Sequence, residues 1–597
     1  MSPISVSDYL INRIASDGVD TVFSLSGGGI MYLVDSLARS KVVRFIPVHH
    51  EEFAGVAADG YARAGKPYGV AMGTTGPGAA HLFAAIAAAW QDSSPVIFIV
   101  GQVKSADSSV IQKISTRQNG TFEFDTTKTF APISKFVAVI ESVETAPDLI
   151  EKAIHISQEG RPGPVVLEIP LDIQGALIRS PTEFSKTLES EAIYQQKPDT
   201  QALMEDLSEK ILKAKNPLVL LGAGAARARQ GKKITNALRE HDLPYIVTQF
   251  GREIGNLSDS MYLGSPGIKA NRSANLALVN CDLLIIIGSS LHQQVIGWDS
   301  EVFRSSSSWK IWFEQDSNVL DTRKDLVNES FNLSVQDAVS LLQNSLAKIQ
   351  NGKEKWVDWK KQCGRWRARF LLHYPEHDLV PDRMCLYRAV TELNKRREEF
   401  SAVVTDAGIV WYALAQHFFP APGAYYISSG SFGSMGMALP LAIGAAAATK
   451  LPVLALTGDG SLMMCLSELA TLRASKLPLL LVINNNDGYL SIKSTHDRFF
   501  GGLRIGTDSS NGTYIPEYRD LAKVFGIKYC EAATTKQLSE CLENILEGGL
   551  TEPVILEVRT YIDQAVEPLV VSRRGEDGKF LSSSLADMDP VIEDADE

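Results

Sequence analysis

The chain lacks the patterns that mark secreted, nucleic-acid-binding and membrane proteins. Its six cysteines are scattered and form no Cys-x-x-Cys pair, so we expect reduced core residues rather than a disulfide framework or a zinc site. The net charge is −12, and no basic stretch carries interleaved aromatics, which argues against nucleic acid as a partner. No apolar run reaches membrane-spanning length, and the first ten residues lack the basic and apolar regions of a signal peptide. We therefore expect a cytoplasmic protein with neither nucleic-acid nor membrane partners.

Strands and helices alternate along most of the sequence. A chain of 597 residues with 45% hydrophobic residues can bury several cores. Short apolar strands followed by helical segments recur in three blocks, which predicts an α/β protein with three doubly wound parallel-sheet domains. The predicted boundaries are 1–180, 195–350 and 380–565 for the domains and 566–597 for a C-terminal tail or lid. The strands predicted in the first domain are 42–48, 69–72, 96–100 and 165–169. Two poorly patterned stretches, 180–200 and 352–381, are predicted connections.

Two short polar motifs in the third block each follow an apolar strand. The sequence Gly-Asp-Gly-Ser at 458–461 and the sequence Asn-Asn-Asp-Gly at 485–488 are joined by a segment with helical spacing. In such a βαβ unit Asp459 and Asn486 lie side by side at the carboxyl ends of neighbouring strands, where ligands of open α/β sheets bind. Together with a backbone carbonyl at Gly488, these side chains are hard oxygen donors suited to Mg²⁺ that shares its shell with phosphates.

The glycines of the first motif point to a phosphate ligand. Gly460 lets the backbone come close to a diphosphate, and the amide and hydroxyl of Ser461 can donate to its oxygens. A single Gly-Asp-Gly sequence is more often an ordinary strand-to-helix turn. Here a second polar motif follows the next apolar strand, at a separation that places Asn486 beside Asp459. The combination favours a phosphate and metal site over an ordinary turn.

Further motifs lie in the first and third blocks. His50-Glu51-Glu52 precedes an Ala-rich helical segment, and a Gly-Thr-Thr-Gly-Pro-Gly sequence follows at 73–78. The third block contains Gly-Ser-Met-Gly-Met-Ala-Leu-Pro at 433–440, before another Ala-rich helix. A glutamate at the start of a helix is usually a partner of the helix dipole. That role explains Glu51 alone but not the order of all the motifs.

Together these motifs resemble the acetolactate synthase and pyruvate oxidase branch of the thiamine-diphosphate (ThDP) enzymes, over essentially the whole chain. The closest likeness is to acetolactate-synthase-like proteins found with cell-surface polysaccharide genes, through the stretches 117–120, 486–492 and 576–580. The resemblance implies pyrimidine-binding, central Rossmann-like and diphosphate-binding domains, with ThDP and Mg²⁺ as cofactors. It also implies a homodimer or homotetramer in which the cofactor lies between two subunits.

Individual roles follow from the resemblance. Glu51 resembles the glutamate that hydrogen-bonds the aminopyrimidine of the cofactor and must hold a proton near neutral pH, which burial would promote. Gly433 and Met435 would face the pyrimidine edge, with the Met435 side chain packed under the cofactor. The residues expected to bind the cofactor are Gly433, Met435, Asp459, Gly460, Ser461, Asn486 and Tyr489. The residues expected in the substrate pocket are Gly28, His50, Phe122, Gln294 and Leu490.

Three departures from the acetolactate synthases bear on the substrate. Phe122 stands where the synthases carry glutamine, and Thr495 stands where they carry tryptophan. Gln294 stands where they carry the arginine that grips the carboxylate of the acceptor, and an amide cannot form that bidentate charged pair. We therefore expect a carboligase that decarboxylates pyruvate or a related 2-oxo acid. The acceptor would be a carbonyl without a carboxylate, such as an aldehyde, a ketone, a diketone or a keto sugar.

Three alternatives remain open at this point. The first is a plain 2-oxo-acid decarboxylase, which would take its proton from His81, His496 or water. Pyruvate decarboxylases carry a His-His pair in this region, whereas the segment 120–122 of this chain contains no histidine. An acetolactate synthase is a second alternative, and a non-catalytic regulatory subunit is a third. FAD stays open as well, because relatives bind it in the central domain, whereas the segment 290–294 has lost their arginines.

Overall fold

The computed structural model describes residues 3–178, 199–349, 352–373, 382–574 and 580–592. Most of the connection predicted at 180–200 and residues 576–579 lie outside the described residues. The predicted α/β architecture is present, with one parallel sheet in each of the three blocks.

The first domain is built on a six-stranded parallel sheet with the order β3-β2-β4-β5-β7-β6. The strands of the domain are β1 (Ile4–Ser5), β2 (Thr21–Ser24), β3 (Arg44–Pro47), β4 (Gly69–Gly73), β5 (Val96–Gln102), β6 (Phe136–Val139), β7 (Val165–Pro170) and β8 (Leu177–Ile178). The short strands β1 and β8 form a separate antiparallel pair. Its helices are α1 (Val6–Ser16), α2 (Met31–Arg39), α3 (Glu51–Arg63), α4 (Pro77–His81), α5 (Phe83–Gln91), α6 (Thr126–Phe130), α7 (Ala146–Gln158) and α8 (Leu171–Gln174). The four strands predicted from apolar runs correspond to β3, β4, β5 and β7. Every residue of β4, β5 and β7 is buried, as expected for a parallel sheet covered on both faces.

The central domain has a five-stranded parallel sheet with the order β10-β9-β11-β12-β13. Its strands are β9 (Pro217–Leu221), β10 (Tyr245–Val247), β11 (Leu283–Ile287), β12 (Trp309–Glu314) and β13 (Glu329–Asn332). Its helices are α9 (Thr200–Lys213), α10 (Ala223–Arg227), α11 (Gly231–Glu240), α12 (Arg272–Asn280), α13 (Gln293–Ile296), α14 (Ser300–Arg304), α15 (Ser317–Arg323) and α16 (Val335–Ala347).

The stretch predicted as a second connection is helical where it is described. It forms α17 (Gly352–Lys355) and α18 (Val357–Phe370), and its tryptophans join the core of the central domain. The indole N–H groups of Trp356 and Trp359 donate to the carbonyls of Ala214 (3.1 Å) and Pro217 (2.9 Å). Burial of these indoles attaches the predicted connection to the central domain.

The third domain has a six-stranded parallel sheet with the order β15-β14-β16-β17-β19-β18. Its strands are β14 (Ala402–Thr405), β15 (Tyr425–Ser428), β16 (Val453–Gly458), β17 (Leu479–Asn485), β18 (Lys528–Ala532) and β19 (Val554–Arg559). Its helices are α19 (Leu386–Lys395), α20 (Ile409–His417), α21 (Ala438–Thr449), α22 (Asp459–Leu462), α23 (Glu468–Ser475), α24 (Leu490–Phe499), α25 (Tyr518–Phe525) and α26 (Thr535–Leu546). The tail adds β20 (Leu569–Val570), β21 (Ser572–Arg574), β22 (Phe580–Ser582) and β23 (Met588–Asp589).

The tail packs on the central domain. Val570, Leu585 and Met588 belong to its hydrophobic core, and the guanidinium of Arg272 donates to the carbonyls of Met588 (3.2 Å) and Pro590 (2.6 Å). The tail therefore links the central domain to the third domain from which it emerges.

Two glycines allow the first and third domains to pack closely. A Cβ atom on Gly60 of α3 would lie 2.1 Å from the carbonyl oxygen of Leu441 in α21. A Cβ atom on Gly444 would lie 1.8 Å from the carbonyl oxygen of Ala57. The backbones of α3 and α21 thus cross in direct contact, and any larger side chain at either glycine would push them apart.

The expectation that all six cysteines are reduced was wrong for two of them. Cys530 and Cys541 form a disulfide between β18 and α26, with their Cα atoms 6.5 Å apart. The helix returns to pack beside the strand, which brings together two residues whose separation of 11 positions follows no recognisable cysteine pattern. Cys281, Cys363, Cys385 and Cys465 are free and buried, as expected.

A buried carboxyl group in β7 predicts an unusual pH dependence of stability. Burial raises the pKa of Glu168 from an ordinary value of about 4.5 to about 7. Between these two pKa values the folded state keeps the proton of Glu168, whereas the unfolded chain has lost it. The contribution of Glu168 to the free energy of unfolding should therefore fall as pH rises from about 4.5 to about 7. We expect Glu168→Gln to remove that loss and to stabilise the protein by up to about 3 kcal/mol at pH 8 relative to pH 4. Denaturant unfolding at several pH values measures it.

Glu123 provides the control of opposite sign. Burial raises the pKa of this carboxyl, but hydrogen bonds from the backbone N–H groups of Gly120, Asn119 and Ser109 outweigh it and leave the pKa lowered. Its contribution to stability is present above the unfolded pKa and is lost as pH falls through the folded one. Glu123→Gln should therefore destabilise the protein most at neutral pH. Equal pH profiles for the two variants would contradict both assignments.

Candidate active site

The two polar motifs of the third domain meet at the carboxyl edge of its sheet. Strands β16 and β17 are parallel neighbours, with Gly458 opposite Asn484. Asp459 begins α22 directly after β16, and Asn486 follows directly after β17. The backbone N–H of Asn486 donates to Asp459 Oδ2 at 3.1 Å, so the structure brings the two residues together as the spacing predicts.

The carboxylate of Asp459 is buried and oriented by backbone donors. Its Oδ1 accepts from the N–H of Gly460 at 2.7 Å, and its Oδ2 also accepts from the N–H of Gly488 at 2.9 Å. Burial raises the pKa of Asp459 to about 6, and the backbone hydrogen bonds oppose that rise. The carboxylate thus pays a desolvation cost that a nearby cation would relieve.

A second oxygen beside Asp459 has no partner. The side-chain oxygen Oδ1 of Asn486 is buried and accepts no hydrogen bond from any described residue. Gly488 has φ of +119°, and a Cβ atom there would lie 2.1 Å from the carbonyl oxygen of Thr507, so the turn requires glycine. A carboxylate, an unpaired amide oxygen and a tight glycine turn are a donor set that fits Mg²⁺.

The rest of a magnesium shell would have to come from a ligand. Within the described ranges, no three His, Cys, Asp or Glu side chains converge as metal ligands. Mg²⁺ prefers six oxygen ligands and commonly takes several from substrate phosphates and water. The donor set around Asp459 is thus an incomplete one that a diphosphate would complete.

The wall of this site is shaped by small and aromatic residues. A Cβ atom on Gly460 would lie 2.3 Å from the ring of Tyr489, so the glycine lets the ring close over the turn. Ser461 is buried, and the hydroxyl of Tyr518 donates to the carbonyl of Asp459 at 2.5 Å. The sequence did not indicate Tyr518, because it lies 59 residues beyond Asp459 without a motif of its own.

The loop before α21 presents a methionine to solvent. Gly433 has φ of +69°, and a Cβ atom there would meet no neighbouring atom within 4 Å. Met435 is 38% exposed, so it does not fill the protein core. This exposure suits a side chain that packs against a ligand.

A second buried carboxyl group begins α3 in the first domain. Glu51 is 5% exposed, and its Oε2 lies 2.9 Å from Nδ1 of His81. A Cβ atom on Gly78 would lie 3.1 Å from the other carboxyl oxygen, Oε1. A bulkier residue in the 73–78 loop would therefore crowd the carboxyl group.

Three other residues predicted for the substrate pocket, His50, Gly28 and Phe122, lie in the first domain. The ring of His50 stacks on the ring of His81 with centroids 4.6 Å apart. A Cβ atom on Gly28 would meet no atom within 4 Å, so the backbone there is open to a ligand. Phe122 is 66% exposed, and its carbonyl lies against Gly76. The remaining two residues predicted for the substrate pocket, Leu490 and Gln294, belong to the third and central domains.

A large cavity beside Leu490 separates the third domain from the central domain and the tail. Its volume is about 650 Å³, and its wall is mainly apolar. Leu490 and Thr495 line the cavity. Lys269 and Arg498 also line it, although no sequence motif indicated them. Gln294 does not line this cavity, although its carbonyl accepts from the N–H of Ile268 at 3.2 Å.

Another cavity, of about 320 Å³, lies between the first and central domains. The turn after β9 forms one wall, where a Cβ atom on Gly222 would lie 2.0 Å from the carbonyl oxygen of Gly288. Arg161 and Arg227 line the cavity, and Arg161 is paired with Asp316 at 3.0 Å. Asp92 and Glu314 line the same cavity, so its wall carries charges of both signs. The visible absorption spectrum of the purified protein, yellow or colourless, would show whether FAD is bound.

Among the helices of the described ranges, none combines the length and the apolar character needed to cross a membrane.

Three family models match successive parts of the chain. The N-terminal TPP binding domain of thiamine pyrophosphate enzymes matches residues 4–128. The central domain of these enzymes matches residues 204–329, and their C-terminal TPP binding domain matches residues 406–558. Each match falls on one of the three sheets.

Curated relatives align with nearly the full chain. The acetolactate synthase large subunit of Parasynechococcus marenigrum is 30% identical, with 95% of this chain and 89% of that protein aligned. The acetolactate synthase isozyme 2 large subunit of Escherichia coli is 29% identical, covering 94% and 97% of the two chains. The acetolactate synthase large subunit of Lactococcus lactis is 25% identical over 95% and 94%.

Proposed function

The chain belongs to the thiamine pyrophosphate enzymes, and we propose from this membership that it is a decarboxylating carboligase. The family matches confirm the predicted resemblance, the three-domain α/β fold and ThDP as the cofactor. The observation that carries the catalytic assignment is the pair of buried carboxyl groups, Glu51 and Asp459, each at the start of a helix in a ThDP-binding domain.

The residues around both carboxyl groups fit the cofactor. Asp459, Asn486 and the Gly488 turn would hold a magnesium ion and, through it, the diphosphate. Bound ThDP supplies an electron sink for decarboxylation of a 2-oxo acid. The contribution of the chain is to orient that group and to place beside it the buried carboxyl of Glu51, positioned by His81, as a proton-transfer group.

We further propose that two copies of the chain complete each active site. The exposed Met435 and the solvent-facing Phe122 are apolar side chains that a partner surface would cover. Glu51 of one subunit would then meet the Asp459 site of its neighbour in a homodimer or homotetramer.

The acceptor is proposed to be a carbonyl compound without a carboxylate on the reacting carbon. The support is the amide of Gln294, which cannot form the bidentate ion pair that an arginine forms with a carboxylate. Thr495 lines the cavity beside Leu490 and leaves space where a larger aromatic residue would fill it. A larger acceptor could therefore enter from the side of the tail.

The proposal predicts a specific product balance. With ThDP, Mg²⁺ and pyruvate, the protein should release one CO₂ for each new carbon–carbon bond, and the acceptor oxygen should take up one proton. A neutral aldehyde such as propanal should give the corresponding hydroxyketone at least about tenfold faster than pyruvate alone gives 2-acetolactate, which corresponds to about 1.4 kcal/mol of discrimination. Mass spectrometry with a CO₂ assay measures both.

The relatives favour acetolactate synthesis as the second candidate. All three that are described above are named acetolactate synthases. Rapid formation of 2-acetolactate from pyruvate alone would support this candidate and contradict the acceptor argument from Gln294. Release of free aldehyde without a new carbon–carbon bond would instead identify a plain decarboxylase.

A further inference from the structure

The cavity of about 650 Å³ has walls from different parts of the chain. Ile409 and Leu490 belong to the third domain, and Leu490 follows the turn that would hold the metal. Lys269 and Trp298 belong to the central domain, and Val570 belongs to the tail. A molecule that reacts near Leu490 would therefore extend toward the central domain.

The backbone around Lys269 is fixed on both sides. The N–H of Ile268 donates to the carbonyl of Gln294 at 3.2 Å, and the carbonyl of Ile268 accepts from the N–H of Val570 at 2.7 Å. The carbonyl of Lys269 accepts from the side-chain amide of Gln249 at 2.8 Å. These bonds hold the Lys269 side chain at the cavity wall, with its ammonium nitrogen 4.0 Å from the centre of the Tyr412 ring.

The charge on Lys269 is not neutralised within the described part of the chain. Its ammonium forms no ion pair with a carboxylate among the described residues. The one charged side chain that affects the pKa of Lys269 there is another cation, Arg498. Burial, together with the positive charge of Arg498, lowers the pKa of Lys269 to about 8. Burial disfavours the charged form of Lys269, and an anion bound at the cavity wall would offset that cost.

Lys310 shows how the same domain satisfies a different buried lysine. Its ammonium donates to the carbonyls of Ser308 at 3.0 Å and Ser306 at 3.2 Å. Lys310 therefore has carbonyl partners within the fold, whereas the Lys269 ammonium has the Tyr412 ring beside it but no carbonyl or carboxylate partner among the described residues. This contrast points to a ligand for Lys269.

We propose that Lys269 determines acceptor specificity by binding an anionic group, a phosphate or a carboxylate, at a distance from the acceptor's reacting carbonyl. Arg498 contributes the second positive charge at this wall. The inference rests on the proposed carboligase function and names the class of acceptor. It adds to the Gln294 argument, because a charge bound at the central-domain wall lies away from the carbon that reacts near Leu490.

Matched acceptor pairs test the inference. Glyceraldehyde 3-phosphate is compared with glyceraldehyde, and succinic semialdehyde is compared with butanal, each with saturating pyruvate. The wild-type protein should show a KM at least about tenfold lower for the charged member of a pair, as expected for a charged hydrogen bond in a partly buried site. The phosphate and carboxylate pairs show which anion the site prefers. A 2-oxo acid as acceptor serves as the third arm.

Variants of Lys269 separate recognition from folding. Lys269→Met should remove the preference for charged acceptors by raising their KM about tenfold, while kcat and KM for the neutral members stay unchanged. Lys269→Arg should restore most of the preference, because it restores the positive charge. Lys310→Met is the matched buried-lysine control, and it should lower thermal stability without changing the preference.

Direct binding distinguishes failure of this inference from failure of the proposed function. Inorganic phosphate titrated into the ThDP- and Mg²⁺-loaded protein should bind the wild type measurably more tightly than the Lys269→Met variant. If no acceptor yields a hydroxyketone, the carboligase function fails, and the phosphate titration still decides whether Lys269 binds anions. Equal KM values within each pair, or equal phosphate binding by wild type and Lys269→Met, would overturn the inference.

Discussion

Replacement of Glu51 by glutamine is expected to reduce turnover by about 10²- to 10⁴-fold, the usual contribution of a positioned acid or base. Glutamine keeps the shape of the side chain and can still hydrogen-bond His81, but it cannot take up and release a proton. The carboxyl group lies at the start of α3, so the substitution leaves the buried face of the helix intact. CO₂ release under saturating ThDP, Mg²⁺ and pyruvate measures the loss, and calorimetry shows whether the cofactor still binds.

Glu52 is the matched control for this experiment. It is the next residue of α3, and burial raises the pKa of the Glu52 carboxyl. The Glu52→Gln variant should keep most of the activity because the resemblance assigns no cofactor contact to that residue. An equal loss in the two variants, or near-normal activity of Glu51→Gln, would refute the role proposed for Glu51.

Replacement of Asp459 by asparagine is expected to weaken Mg²⁺-dependent binding of ThDP by at least about 100-fold, comparable to the loss of a first ligand at a metal site. The neutral amide still accepts some of the hydrogen bonds from Gly460, Asn486 and Gly488, but it no longer attracts the cation. Because the buried charge is removed, the protein without cofactor should be at least as stable as the wild type. Calorimetric titration of ThDP at several Mg²⁺ concentrations, with a chelator as the zero point, measures the effect.

Asp406 controls for the loss of a buried carboxyl group. It is fully buried, its pKa is raised to about 6 by burial, and it accepts a hydrogen bond from the hydroxyl of Thr457 at 2.8 Å. Asp406→Asn should alter stability without removing the dependence of ThDP binding on Mg²⁺. If Asp459→Asn bound ThDP normally at low Mg²⁺, the metal site would have to lie elsewhere.

Local patterns were sufficient to predict the sheets and the geometry of the turn proposed to bind the metal. Strands such as β5 and β17 are continuous apolar runs because both faces are covered, and such runs are visible in the sequence. Asp459 and Asn486 could be paired because parallel strands end at the same edge of a sheet. The motif supplied both the residues and their relative position.

Features that depend on packing between distant segments were not predictable. The indoles of Trp356 and Trp359 find carbonyl partners about 140 positions earlier in the chain, which no local pattern encodes. The disulfide between Cys530 and Cys541 depends on how α26 returns to β18. Lys269 lies in a loop without a motif, and only the folded chain shows that it faces a cavity beside Arg498.

The crossing of α3 and α21 connects the two ends of the proposed chemistry. Helix α3 begins at Glu51, and α21 begins three positions after Met435. The close backbone contact between the two helices therefore fixes the position of Glu51 relative to the Met435 loop. In a two-fold assembly each subunit would lend its acid to one reaction centre and its methionine loop to the other. A side chain larger than glycine at position 60 or 444 would therefore shift Glu51 relative to the Met435 loop and disturb both centres at once.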